Sequence, residues 1–120
     1  MIKKDEKNSV IEICPVRNMI ARFGNKWAFL VILVLKENGV SRFSEIAKLI
    51  PDISSKVLSN TLKILEEDGF VNRSVYKESP IKVEYELTEL GHSIVPLIHQ
   101  LTEWAQTNMK SILEKRNSIK

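Results

Sequence analysis

Two apolar-periodic segments meet at Pro51 and Ser54 with almost no chain between them, and this junction constrains the fold more than any other feature. The first segment, Phe43 to Leu49, turns Phe43, Ile46 and Ala47 to one side, and Pro51 stops it because proline cannot continue a helix. The second can begin at Ser54, whose hydroxyl suits an N-cap, and runs to Asp68 with Leu58, Leu62 and Leu65 as its inward stripe. Gly69 then ends it. Helices joined by so short a turn are a helix-turn-helix candidate.

Upstream, Pro15 and Gly24 bracket Val16, Met19, Ile20 and Phe23 at helical spacing, which predicts one short amphipathic helix. A second helix is predicted from about Lys26 to Glu37. Trp27, Leu30, Val31, Val34 and Leu35 make its main stripe, and Phe29, Ile32 and Leu33 make it apolar nearly all round. Such a helix is buried. Asn38-Gly39 ends it as a turn. Downstream of Gly69 the period changes. Phe70–Lys77 and Lys82–Leu87 are rich in β-type residues and flank Glu78-Ser79-Pro80-Ile81, which predicts a hairpin. Thr88 caps a long last helix whose stripe is Leu90, Ile94, Leu97, Ile98, Leu101, Trp104 and Ala105. Pro96 lies inside it, cannot bond back to residue 92 and is expected to bend it.

Helices, a helix-turn-helix and then a β-hairpin give a mostly α chain with a small β-hairpin, an α+β winged helix-turn-helix. The competing reading is a small α+β domain whose hairpin merely covers a core edge. At 120 residues the chain supports one domain and one core. The expected division is a flexible segment over 1–12, the domain over 13–107, and a helix end with a basic tail over 108–120, fraying after about Lys115. The 43% hydrophobic content argues against a disordered chain. The longest apolar run, Trp27 to Leu35, is about half a membrane span. The N-terminal MIKKDEKN lacks the apolar stretch of a signal peptide, so a cytoplasmic protein without membrane association is expected. A single cysteine excludes an internal disulfide and a multi-cysteine zinc site.

The net charge of +3 is concentrated at the two ends, and the middle is close to neutral. Nucleic-acid binding therefore needs a local basic face. The segment after Ser54 offers one: Ser55, Lys56, Ser59, Asn60 and Lys63 face outward without an acid among them. These side chains reach phosphates and base edges. The acids Glu66, Glu67 and Asp68 are expected at the far end of that helix, away from the contact. In the hairpin, Arg73, Lys77 and Lys82 are expected near or at the tip, where a wing grips the DNA backbone or minor groove. Arg42 and Lys48 flank this footprint. A solvated helix face and ordinary loop charges account for each residue singly, though less well for the set.

The segments Cys14–Leu35, Ser41–Arg73 and Pro80–Trp104 together resemble the HxlR-type winged-helix transcriptional regulators. The pieces that carry the resemblance are Cys14-Pro15, Lys26-Trp27, Arg42-Phe43 with Glu45, Ile53-Ser54, the Leu58/Leu62/Leu65 row with Asp68-Gly69, Val83-Glu84-Tyr85, and Leu87-Thr88 with Gly91. Phe29 and Val31 fill places where such proteins vary. The resemblance implies a homodimeric, sequence-specific regulator of double-stranded DNA, paired through its first and last helices, hence through Met19 and Ile20 with Leu97, Leu101 and Trp104. The residues agree on pairing, because so small a core cannot cover the whole last helix; Met109 and Ile112 would also stay partly exposed. The other reading is a helix that simply faces the core.

Cys14 precedes Pro15 and so takes the N-cap position, where first-turn amides and Arg17 favour the thiolate. Some relatives sharing this cysteine respond to oxidants, quinones or reactive aldehydes. The alternative is a small capping or packing residue. His92 and His99 are seven residues apart, about 10.5 Å along a helix, so one metal cannot bridge them. With no catalytic set or phosphate loop recognisable, neither an enzyme nor a cofactor is expected. The residues name no small-molecule effector. A winged-helix protein-interaction module is the alternative to a DNA-binding regulator.

Overall fold

Nearly every position of the segment after Trp27 is apolar, and the chain there forms the central helix of the core. The computed structural model describes Ala21 and residues 26–119; Cys14, Met19, Ile20 and, apart from Ala21, the rest of the helix expected over 15–23 lie outside the described residues. Helix α1 (Ala28–Asn38) packs against the three later helices and the second strand. Its buried face is Ala28, Val31, Ile32 and Leu35, with Val31 and Ile32 fully enclosed. Leu30, expected in the buried stripe, is 42% exposed. The face is offset because a helix apolar on all sides carries no periodic signal to choose one. Gly39 ends α1 at φ 71, and its N–H donates to the Leu35 carbonyl over 3.0 Å.

Helix α2 (Phe43–Leu49) begins where the Glu45 carboxylate accepts the Arg42 N–H over 2.7 Å, and it buries Ile46. Helix α3 (Ser55–Glu67) follows after Ile50 and Ile53, both buried, pin the turn to the core. Ser54 caps it as expected, its Oγ accepting the Val57 N–H over 3.1 Å. The inward stripe is Leu58, Thr61, Leu62 and Leu65. At its end Gly69 takes φ 85, its N–H donates to Glu66, and the Phe70 N–H donates back to Leu65 over 2.9 Å. That paired closure satisfies the last carbonyls, and Leu65 and Phe70 are both buried beside it.

Strands β1 (Val71–Tyr76) and β2 (Lys82–Leu87) form an antiparallel hairpin with Arg73 opposite Tyr85 and Tyr76 opposite Lys82. Side chains alternate across a strand. Val71, Arg73 and Val75 therefore share one face with Leu87, Tyr85 and Val83. Asn72, Ser74 and Tyr76 share the other with Glu86, Glu84 and Lys82. Ser41 adds a third edge: it and Tyr85 exchange backbone hydrogen bonds of 2.9 and 2.8 Å. Ser41 itself is buried, and its hydroxyl is tied to Gly39 and Asn38.

Helix α4 (Glu89–Ile119) spans 31 residues, about 46 Å. Thr88 joins it to the rest: its N–H donates to the Phe70 carbonyl, its hydroxyl to the Gly69 carbonyl over 2.6 Å, and its Oγ1 accepts the Gly91 N–H. The core side of α4 is Gly91, Val95 and Ile98, with Ile94 half-buried. The expected single stripe thus divides. Leu90, Leu97, Leu101 and Trp104 are at least half exposed, because among the described residues the buried positions of α4 end at Ile98. Pro96 sits within the helix on the exposed side, where the His92 carbonyl, which cannot accept from Pro96, can meet water. The tail expected to fray after Lys115 is helical to Ile119; Arg116 in the last turn suits the negative end of the helix dipole.

Candidate nucleic-acid interface

Opposite its buried stripe, α3 carries a ridge of Lys56, Asn60 and Lys63, at i, i+4 and i+7, all exposed. Ser55 and Ser59 are exposed as well. The acid Glu67 closes the ridge at its C-terminal end. The cap at Ser54 leaves the N-terminal half of the ridge basic and uncovered.

The ridge lies between two concavities. One, of about 430 Å³, is bounded by Trp27 at the start of α1 together with Lys56, Val57 and Asn60 of α3. The other, of about 290 Å³, is bounded by Ser59, Lys63 and Glu66 of α3 and by Arg73 and Tyr85 of the hairpin. Ser59 and Lys63 border both. The register explains the second: Arg73 and Tyr85 share the hairpin face that begins with buried Val71 and Leu87 and so turns toward α3.

The expected residues therefore fall into groups. Ser59, Lys63 and Arg73 line one concavity, and Lys56 and Asn60 lie on the same ridge. Arg73 is the third residue of β1, nearer the root of the hairpin than its tip. Arg42, exposed, follows Ser41 and so lies beside the strand that carries Tyr85. Lys77 is exposed beyond the end of β1, and Lys48 is exposed in the last turn of α2. Lys82 stands apart, on the other hairpin face: its Nζ lies 3.6 Å from the Glu84 carboxylate and 4.9 Å from the Tyr76 ring centroid. With Glu84 and Glu86, that face is acidic. Glu66 departs from expectation, since it shares a concavity with Lys63 and Arg73; three residues past Lys63, it falls on the same helix side. Trp27 and Tyr85 border the site although the pattern alone did not single them out; the Lys26-Trp27 pair was the available signal. Among the described residues there is no cluster of three potential metal ligands, and no helix long and apolar enough to cross a membrane.

A short helix-turn-helix, an exposed polar second helix and a hairpin at its flank define a winged helix-turn-helix protein. Residues 22–113 match the model of the HxlR-like helix-turn-helix family, and the chain belongs to that family. An HTH-type transcriptional regulator of Methanothermobacter thermautotrophicus is 45% identical over 94 residues, covering 78% of this chain and 71% of that protein. The reduced form of the transcriptional regulator YodB from Bacillus subtilis superposes with a TM-score of 0.64 at 34% identity, covering 88% of this chain and 92% of that one. The redox regulator HypR in its reduced form gives a TM-score of 0.72 at 37% identity, covering 84% and 98%.

Proposed function

We propose that the protein is a cytoplasmic, homodimeric, sequence-specific DNA-binding regulator that reads a near-palindromic operator. The observation that carries this reading is the exposed Lys56–Asn60–Lys63 ridge with Arg73 at its side. In the mechanism, α3 enters the major groove, and Asn60, Lys56 and the serines Ser55 and Ser59 meet base edges or phosphates. Lys63, Arg73, Arg42 and Lys77 meet the sugar-phosphate backbone. Lys82 contributes less, because Glu84 already engages it on the acidic face. Leu97, Leu101 and Trp104, more than half exposed, would pair two copies, with Met19 and Ile20 joining from outside the described residues. Half-sites would then lie about one turn of DNA, 34–36 Å, apart.

Selection of bound duplexes from a random pool, followed by titration in rising salt, tests this. A near-palindrome whose affinity falls steeply with salt is the expected result. Binding with no sequence preference, or none at all, would favour the winged-helix protein-interaction module instead.

Responsiveness to oxidants through Cys14 belongs to the same reading. It is supported by the similarity to a redox regulator and by the cysteine's place before Pro15. With one cysteine per chain, oxidation would end in an intersubunit disulfide or a mixed disulfide with a small thiol. Diamide should therefore weaken operator binding by the wild type and leave Cys14→Ser unaffected; equal responses would leave Cys14 as a cap only.

A further inference from the structure

Lys26 and Trp27 lie at the start of α1, on the side of α3 away from the hairpin. Trp27 is half-buried, and its open part borders the larger concavity with Lys56, Val57 and Asn60. The exposed Lys26 holds its Nζ 4.8 Å from the Trp27 ring centroid, within range for attraction to the ring face. Around α3, Val57 and Thr61 border only the Trp27 concavity, Glu66 borders only the Arg73 one, and Ser59 and Lys63 lie between.

We infer that Lys26, propped on Trp27, is a second clamp on the DNA backbone, gripping the groove rim opposite the one met by the wing. The inference rests on the DNA-binding reading above and names a contact that reading lacks. A helix with its side chains is about 10–12 Å across, and the major groove is about 12 Å wide. A helix seated there has a phosphate rim on each side. Arg73 stands at one flank of the ridge; the Trp27 wall and its lysine stand at the other. The ring restricts where the Lys26 stem can go before DNA arrives, so less freedom is lost on binding. A lysine free in solvent would have no such direction.

Fluorescence anisotropy of a labelled random-sequence duplex and of a selected operator, across a salt series, tests this with the full chain. Lys26→Gln should weaken both duplexes several-fold and lower the salt slope by about 1, as Arg73→Gln should. Lys26→Arg should keep the slope. In Trp27→Leu, shown to be folded by circular dichroism, adding Lys26→Gln should change little, because the prop is already gone. If Trp27→Leu does not fold, the two Lys26 variants decide alone. A Lys26→Gln protein with wild-type slope, beside an Arg73→Gln protein that has lost about 1, overturns the clamp and leaves DNA binding standing. Full additivity of the Lys26 and Trp27 changes overturns the prop. A wild type with no salt-dependent affinity for either duplex overturns the clamp and the DNA-binding reading together.

Discussion

Gly91 stands directly against the carbonyl oxygen of Phe70: a Cβ at Gly91 would overlap that oxygen and lie 3.0 Å from Leu87 Cδ2. The same carbonyl accepts the Thr88 N–H, so it cannot move aside without breaking the joint between hairpin and α4. Gly91→Ala would gain about 1 kcal/mol in helix propensity. The overlap should outweigh that and leave the protein destabilised by about 1–3 kcal/mol. Urea unfolding checks this, and a midpoint at or above that of the wild type would contradict it.

The base reading proposed for α3 is separable from folding, because Lys56 and Asn60 are exposed while the stripe beneath them is buried. Asn60→Ala should cost about 1–3 kcal/mol of operator affinity if the amide meets a base. Joint replacement of Lys56 and Asn60 should abolish preference for the operator over random DNA at unchanged thermal stability. Retained preference in a folded double variant would move recognition off this helix.

The two hairpin faces should behave differently. Arg73→Gln is expected to weaken specific and random DNA alike and to reduce the salt slope by about 1. Lys82→Gln should do much less, since its ammonium is shared between Glu84 and the Tyr76 ring on the acidic face. Equal losses in parallel titrations would mean that Lys82 leaves Glu84 when DNA arrives.

Leu101 and Trp104 are 51% and 56% exposed on a helix that has left the body of the domain. Leu101→Glu or Trp104→Glu should give a monomer in sedimentation velocity and lose tight operator binding, because one half-site alone is weak. A wild type that is monomeric at micromolar concentration and still binds tightly would remove the dimer from the mechanism.

The legible parts of this fold were those with local chemical punctuation. Pro51, Ser54 and Gly69 set the ends of α2 and α3, and the change of period after Gly69 marked the hairpin. The exposed ridge followed directly, since a helix with one buried stripe has one free face. What stayed hidden depended on partners distant in sequence. The stripe read for α1 held at Trp27, Val31, Val34 and Leu35, but Leu30 is exposed and Ala28 and Ile32 are buried, a shift that a helix apolar on both sides does not signal. The separation of Arg73 from Lys82 needed the pairing register, which puts them on opposite faces. Glu66 looked remote along the helix axis yet shares a concavity with Arg73, which only the docking of the hairpin brings near.

Among the described residues, helix α4 is anchored at one end and exposed over most of its length. Mechanically it is a lever, with its fulcrum where Thr88 and Gly91 bear on Gly69 and Phe70. That fulcrum is also the terminus of α3 and the root of the hairpin. In the proposed dimer, torque applied at the distant end would reach the helix-hairpin unit with no loop between α4 and its joint to absorb it. A displacement at the tip would become a smaller rotation at the base, a motion that would change the phase between the two α3 helices of such a dimer while leaving each one intact.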